Sequence, residues 1–302
     1  MTIDLSHRTA IVTGAGGGLG RSHAIALAKR GARVVVNDLS PGAADAVAAE
    51  IQALGGKAMP WTCSVTDRTG VEDMVRETIA RWGSIDIVVN NAGILRDRTF
   101  ANLDLDDFAM VIDVHVMGSV NLTKAVWPHM REQGYGRIVF TTSSSGLYGN
   151  FGQSNYSAAK MALVGLMQTL ALEGQKYGIH VNCLAPSAAT QMTEKLYSPE
   201  DLRGLSTDLV SPGVVALVSE NAPTRTILLA GAGAFEQAHI TMTNGIHVGD
   251  ADDAAEQIEA QWARIADRSG EQVPESGAAQ YHHEVNHPGK PVPARAPERV
   301  DA

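Results

Sequence analysis

The sequence predicts an α/β fold: a doubly wound parallel sheet in a single domain with a C-terminal extension. Three observations carry this. Short β-branched runs recur along the 302 residues, each followed by a longer Ala/Leu-rich stretch with helical spacing. The runs are nearly continuous in apolar residues, as strands buried on both faces of a parallel sheet are. The composition, 44% apolar with 5% aromatic and 30 glycines, suits a globular chain with many turns and close backbone approaches. A βαβαβ alternation then implies right-handed crossovers between parallel strands.

In chain order, the first strand is Thr9-Ala10-Ile11-Val12-Thr13. It runs into Gly14-Ala15-Gly16-Gly17-Gly18-Leu19-Gly20-Arg21 and then the helical run Ser22 to Arg30. A glycine loop between a strand and a helix N-terminus lets backbone N–H groups approach a pyrophosphate, and the helix dipole favours the negative charge. The second strand, Arg33 to Asn37, ends at Asp38, where a carboxylate can accept hydrogen bonds from the ribose hydroxyls of a dinucleotide. The same carboxylate repels a 2′-phosphate, and neither Gly17 nor Leu39 offers a cation to hold one. NAD is therefore preferred over NADP. The other reading of Asp38 is a turn or cap ahead of Ser40-Pro41-Gly42.

Ala58 to Thr62 is a weaker strand, followed by strands at Ile85 to Val89 and Arg137 to Thr141. Asn155-Tyr156-Ser157-Ala158-Ala159-Lys160 then opens a helical run to about Tyr177. The i, i+4 spacing puts the Tyr156 phenol and the Lys160 ammonium on one helix face. The ammonium stabilises a phenolate, and an oxidised nicotinamide adds a second positive charge. Lowering a tyrosine from ~10 toward ~7 takes about 4 kcal/mol of differential interaction, which two cations in a water-poor site can supply. Tyr156 is then a candidate general base.

His180 to Leu184 reads as the next strand and Thr226 to Ala230 as the last. Between them, residues 188–209 carry Met192, Leu196, Leu202 and Leu205 among polar residues and read as a mobile substrate lid. From Ser269 the chain holds five of its twelve prolines, mixed with Gly, Ser and charge. Such a segment buries little apolar surface, so residues 269–302 are expected to be an extended or disordered tail, and residues 1–268 the functional domain. His282, His283 and His287 in the tail are weak metal candidates, and no metal is expected.

The net charge of −9 argues against nucleic acid and anionic membranes as partners, which basic clusters usually hold. No stretch approaches the ~20 apolar residues of a membrane helix. Residues 1–8 lack the apolar core of a secretory signal, and Arg299-Val300-Asp301-Ala302 carries no recognisable address. Cys63 and Cys183 fall in separate apolar runs, as buried thiols in a reducing compartment do. A cytoplasmic protein acting on a small-molecule substrate is expected.

With these motifs in place, the chain resembles the short-chain dehydrogenase/reductase family over roughly residues 5–235. Thr13, Gly14, Gly18 and Gly20 match its glycine loop, Asn90-Asn91-Ala92-Gly93 its turn after the fourth strand, and Tyr156 with Lys160 its catalytic pair. Ser143 lies upstream in Thr142-Ser143-Ser144-Ser145-Gly146. The resemblance implies a Rossmann-type fold. It also implies that Thr13, Gly14, Gly18, Leu19, Gly20, Asp38, Asn91, Ala92, Gly93, Tyr156, Lys160 and Pro186 bind a nicotinamide dinucleotide. Ser143 would hydrogen-bond the substrate oxygen, Tyr156 take its proton, and Lys160 lower the Tyr156 pKa and hold the nicotinamide ribose.

Three positions depart from the family pattern. His115 stands where the family often has the Asn that supports a proton-relay water, and a relay through it is still expected. Pro186-Ser187 replaces Pro-Gly, and Cys63-Ser64-Val65 replaces the adenine-side Asp.

Asn90 to Arg98 and Gly146 to Gln153 are similar to the (3R)-hydroxyacyl-CoA dehydrogenase portion of peroxisomal multifunctional enzyme type 2, a family that also oxidises 17β-hydroxysteroids. The resemblance implies an oxidoreductase of lipid or steroid metabolism acting on CH–OH groups. Arg96, Arg98, Lys195 and Arg203 are then candidate contacts for coenzyme A phosphates or, on the other reading, solvated surface cations. Two alternatives stay open: an NADPH-dependent ketoreductase, and a catalytically silent dinucleotide-binding regulatory protein. The run Ala158 to Leu172 carries apolar residues on more than one face, and a homodimer or homotetramer is expected.

Overall fold

The computed structural model describes residues 2–189 and 204–289. One compact unit spans Met1–Ala238 and a second His239–Ala302. The boundary thus falls thirty residues earlier in the chain than the Pro-rich composition change, because residues 239–268 pack with their own neighbours.

The first unit holds one eight-stranded sheet in the order β3-β2-β1-β4-β5-β6-β7-β8. The strands are β1 Thr9–Thr13, β2 Arg33–Asp38, β3 Lys57–Thr62, β4 Ile87–Asn90, β5 Gly136–Thr141, β6 Ile179–Ser187, β7 Ile227–Gly231 and β8 Ala234–Ala238. All pair in parallel except β8, which runs antiparallel to β7. The sequence reading did not include β8, whose largely exposed residues lack an apolar face. Its signal is the two-residue turn Ala232-Gly233, with φ of 51° and 80°, which suits a tight hairpin.

Burial on both faces explains the unbroken apolar runs. On β1, Ala10 and Val12 join one core layer and Ile11 the other; Val34 and Val36 on β2 oppose Val35 in the same way. The first layer is covered by α1 (Gly18–Lys29), α2 (Pro41–Ala53) and the helix Ser211–Leu217. The second is covered by α3 (Arg68–Trp82), α5 (Gly118–Gln133) and α7 (Ser154–Gly174).

Strand order reverses between β1 and β4, which opens a crevice at their carboxyl ends. Helix α4 (Leu105–Ile112) passes through a π-helical turn, Asp113–Met117, into α5. Turns of this type occur often at functional sites, and this one carries His115.

In the second unit, Met242 and Gln272 form an isolated antiparallel bridge, and helices span Ala254–Ala260, Trp262–Ile265 and Gly277–Val285. The last of these corrects the expectation of an extended segment over its residues. Among the described residues, no helix is long and apolar enough to cross a membrane.

Candidate active site

At the crevice lies a cavity of about 800 Å³, within the range of small-molecule sites. Every residue expected to bind the dinucleotide or take part in catalysis lines it except Thr13. Thr13 is a correction: it is buried, and its hydroxyl accepts from the N–H groups of Asn91 and Ala92, each at 3.0 Å. It ties the end of β1 to the turn after β4. Asn91 adds to this tie, donating from Nδ2 to the carbonyl oxygens of Thr13 and Gly14.

The glycine loop ends inside α1, which begins at Gly18 and not at Ser22. A Cβ on Gly20 would collide with the Gly14 carbonyl and sit 2.7 Å from Asn91 Nδ2, so a glycine is needed there. No side chain caps α1, which leaves its first-turn N–H groups free for an anion. Asp38 stands at the same end: Oδ2 accepts from Gly16 N–H at 2.9 Å and Oδ1 from Ser40 N–H at 3.0 Å. The turn role and the ribose-facing role therefore coexist. Leu39 beside it is exposed, and the space around Gly17 is open. A glycine cradle, uncapped N–H groups and one carboxylate fit a nicotinamide dinucleotide.

The opposite end carries the reactive side chains. Ser143 caps helix α6 (Ser144–Tyr148), its Oγ accepting from Ser145 N–H at 3.1 Å. Its hydroxyl hydrogen turns to the Tyr156 phenol oxygen, also on the cavity wall. Tyr156 lies in the first turn of α7, where Asn155 Oδ1 accepts from its N–H and Asn155 Nδ2 donates to the Arg96 carbonyl. Lys160, one turn on, is buried, donates from Nζ to the Thr141 carbonyl at 2.6 Å, and lies 5.4 Å from the Tyr156 ring centre.

Burial pushes the Tyr156 phenol up to about 12, with the hydrogen bond from Ser143 opposing it and Asp97 adding to it. Burial also brings Lys160 down to about 7. The sequence reading ascribes a lowered Tyr156 to two cations, whereas the protein's own groups act in the other direction. His115 is held down to about 3, first by burial and then by Lys160. Its Nε2 lies 3.0 Å from Ile94 N and 2.9 Å from Ile94 O, accepting in one tautomer and donating in the other. Its Nδ1 is buried with no partner, and its ring meets Tyr156 edge-on at 5.3 Å. A Cβ on Gly93 would lie 2.9 Å from that Nδ1, so the Asn-Asn-Ala-Gly turn makes room for the imidazole.

Pro186 lines the cavity at the end of β6, followed by Ser187. Of the expected lid, Met192, Leu196 and Leu202 lie outside the described residues, as do Lys195 and Arg203. Leu205 accepts at its carbonyl from Ala189 N–H. Arg96 and Arg98 are exposed, and Arg96 pairs with Asp107 at 3.4 Å. In the second unit, His283 and His287 each direct Nε2 at the Asn244 carbonyl.

Sequence reasoning missed one part of the wall. Gln153 is buried and lines the cavity, joined to Asp97, Ser145 and Asn150 by hydrogen bonds. The available signal was its position one helical turn before Tyr156.

The short chain dehydrogenase family matches residues 8–201. A putative short-chain type dehydrogenase/reductase of Mycobacterium tuberculosis is 44% identical over 276 residues, covering 88% of this chain and 96% of that protein. The structure of full-length peroxisomal multifunctional enzyme type 2 from Drosophila melanogaster superposes with a TM-score of 0.79 at 34% identity. It covers 94% of this chain, which spans half the length of that one. A 7α-hydroxysteroid dehydrogenase complexed with NADH and 7-oxo glycochenodeoxycholic acid gives 0.72 at 30% identity, covering 76% of this chain and 95% of its own. The match spans the glycine loop, the turn after β4 and the Tyr156–Lys160 pair. The chain therefore belongs to the short-chain dehydrogenase family, oxidoreductases that bind a nicotinamide dinucleotide and act on CH–OH groups.

Proposed function

We propose that the protein is an NAD-dependent dehydrogenase oxidising a secondary alcohol on a large apolar body, a (3R)-hydroxyacyl-CoA ahead of a 17β-hydroxysteroid. The observation that carries this is one cavity with the Asp38 carboxylate at one end and Ser143, Tyr156 and Lys160 at the other. When bound, NAD supplies the hydride acceptor and a positive charge beside the phenol. Ser143 donates its hydroxyl hydrogen to the substrate oxygen and holds the carbinol. Tyr156 Oη takes the hydroxyl proton. Lys160, at about 7, can hold or release a proton at neutral pH one turn behind it. His115, neutral at that pH, keeps the turn at Ile94 in register, and its unpartnered Nδ1 is available to a relay water.

Exposed Tyr148 on the cavity wall and exposed Phe151 in the same loop support an apolar substrate body. Exposed Arg96, directly after cavity-lining Leu95, supports a thioester that brings phosphates. The similarity to peroxisomal multifunctional enzyme type 2 supports this pair of substrate classes without ranking them.

Cofactor choice is the first test. Asp38→Ala combined with Leu39→Arg should move preference from NAD to NADP, read by calorimetric titration of both. Tighter NADP binding by the unaltered protein would remove Asp38 from its role.

The protein is also proposed to be a homodimer or homotetramer. On α7, Leu163, Val164 and Met167 are buried, but Met161 and Leu172 stay exposed, as do Leu105 and Met110 on α4. Light scattering at micromolar concentration should give at least twice the chain mass of 31.9 kDa, and a monomer contradicts this.

A further inference from the structure

The wall beside Tyr156 carries a chain of hydrogen bonds whose direction is fixed at one end. The Asp97 carboxylate accepts and does not donate, so the Gln153 amide must turn its nitrogen toward it; Nε2 donates to Asp97 Oδ2 at 2.7 Å. Gln153 Oε1 therefore faces the cavity side. There it accepts twice, from Ser145 Oγ at 2.8 Å and from Asn150 Nδ2 at 2.9 Å. Backbone pairing keeps the two segments together, since Arg98 N–H donates to the Gly152 carbonyl at 3.0 Å and Arg98 bridges to Gln153. Gln153 is 5% exposed, too buried for water to substitute freely for these partners.

This fixed direction decides what the wall offers a ligand. Ser145 has spent its hydrogen on Gln153 and presents lone pairs. Asn150 must present its nitrogen to Gln153, which uses one of two amide hydrogens and leaves the second to donate. Asn150 lines the cavity, on the same stretch that carries Ser143 and Ser145. In a 3-hydroxyacyl thioester the carbonyl carbon lies two bonds from the carbinol carbon. Once the carbinol oxygen is held by Ser143 and Tyr156, that carbonyl oxygen needs a donor nearby. A 17β-hydroxysteroid has no carbonyl at that distance.

We propose that Asn150 is a substrate-binding residue that donates to the thioester carbonyl of a 3-hydroxyacyl substrate, and that Asp97 and Gln153 are positioning residues that fix its polarity. The inference rests on the acyl-thioester reading of the site and names the residue that separates the two substrate classes.

The test compares a medium-chain (3R)-3-hydroxyacyl-CoA with a 17β-hydroxysteroid in the full-length protein with NAD. For the thioester, Asn150→Ala should lower kcat/KM by about tenfold, the value of one hydrogen bond, mainly through KM. The steroid alcohol should be unaffected. Asp97→Asn, which keeps shape but lets the Gln153 amide reverse, should raise the thioester KM by less than Asn150→Ala does and leave the steroid KM unchanged, while loss of the Asp97 charge that acts on Tyr156 changes kcat for both substrates alike. This variant also guards against a local collapse caused by the alanine. Equal KM increases on both substrates in Asn150→Ala, or an unchanged thioester KM in both variants, overturn the inference and leave the proposed function standing. An unaltered protein that oxidises the steroid and not the thioester overturns both.

Discussion

Tyr156→Phe is expected to reduce turnover by about 10²- to 10⁴-fold, the range that general acid–base catalysis contributes, with dinucleotide affinity nearly intact. The ring itself is retained, so its edge contact with His115 and its place in the first turn of α7 survive. Only the hydroxyl that is proposed to take the carbinol proton is lost. In the proposed mode the dinucleotide would be held at the far end, by the glycine loop, the uncapped N-terminus of α1 and Asp38. Rapid-mixing kinetics alongside a calorimetric titration of NAD separate the two effects. Retention of more than a few per cent of the rate would remove Tyr156 from the base role.

Acid should destabilise the fold through two buried histidines. His23 on α1 and His115 in the π-turn are both held down to about 3, each chiefly by burial. The unfolded chain binds these protons below about 6.5, whereas the folded chain refuses them until about 3. Stability is therefore complete above pH 6.5 and is lost as pH falls through that window. By pH 5 the loss is about 2 kcal/mol for each histidine and about 4 kcal/mol for the two together. His23 Nδ1 lies 2.8 Å from Ser211 Oγ, a contact that Asn can keep. His23→Asn should therefore fold at neutral pH and show about half the acid sensitivity in denaturant titrations between pH 7.5 and 5. The same slope in the variant, or none in the unaltered protein, contradicts the assignment.

Much of this was legible in the sequence because burial on both faces of a parallel sheet leaves unbroken apolar runs. β1, β2 and β5 could be read that way, and even the weak Ala58 to Thr62 run became β3. β8 could not, because an edge strand with one exposed face after another carries no such run. The helix at Gly277–Val285 was hidden by the prolines on either side of it.

At the site, residues with a motif were legible and residues that work through a partner were not. Thr13 was placed in the site by its motif, but its hydroxyl binds Asn91 and Ala92 and does not reach the cavity. Asp97 and Gln153 are 56 positions apart, and only the fold reveals that one orients the other. The Tyr156 pKa was beyond a sequence argument for the same reason. Spacing reports that Lys160 is near, but not how much water burial removes from the phenol.

The most direct test of the account is reduced-nicotinamide absorbance after mixing the protein with NAD and a (3R)-3-hydroxyacyl-CoA, with the (3S) isomer and NADP as controls. The account predicts steady formation of reduced cofactor with the (3R) thioester and NAD, and far slower formation with either control. No reduction with any secondary alcohol, or faster reduction of NADP than of NAD, would contradict it.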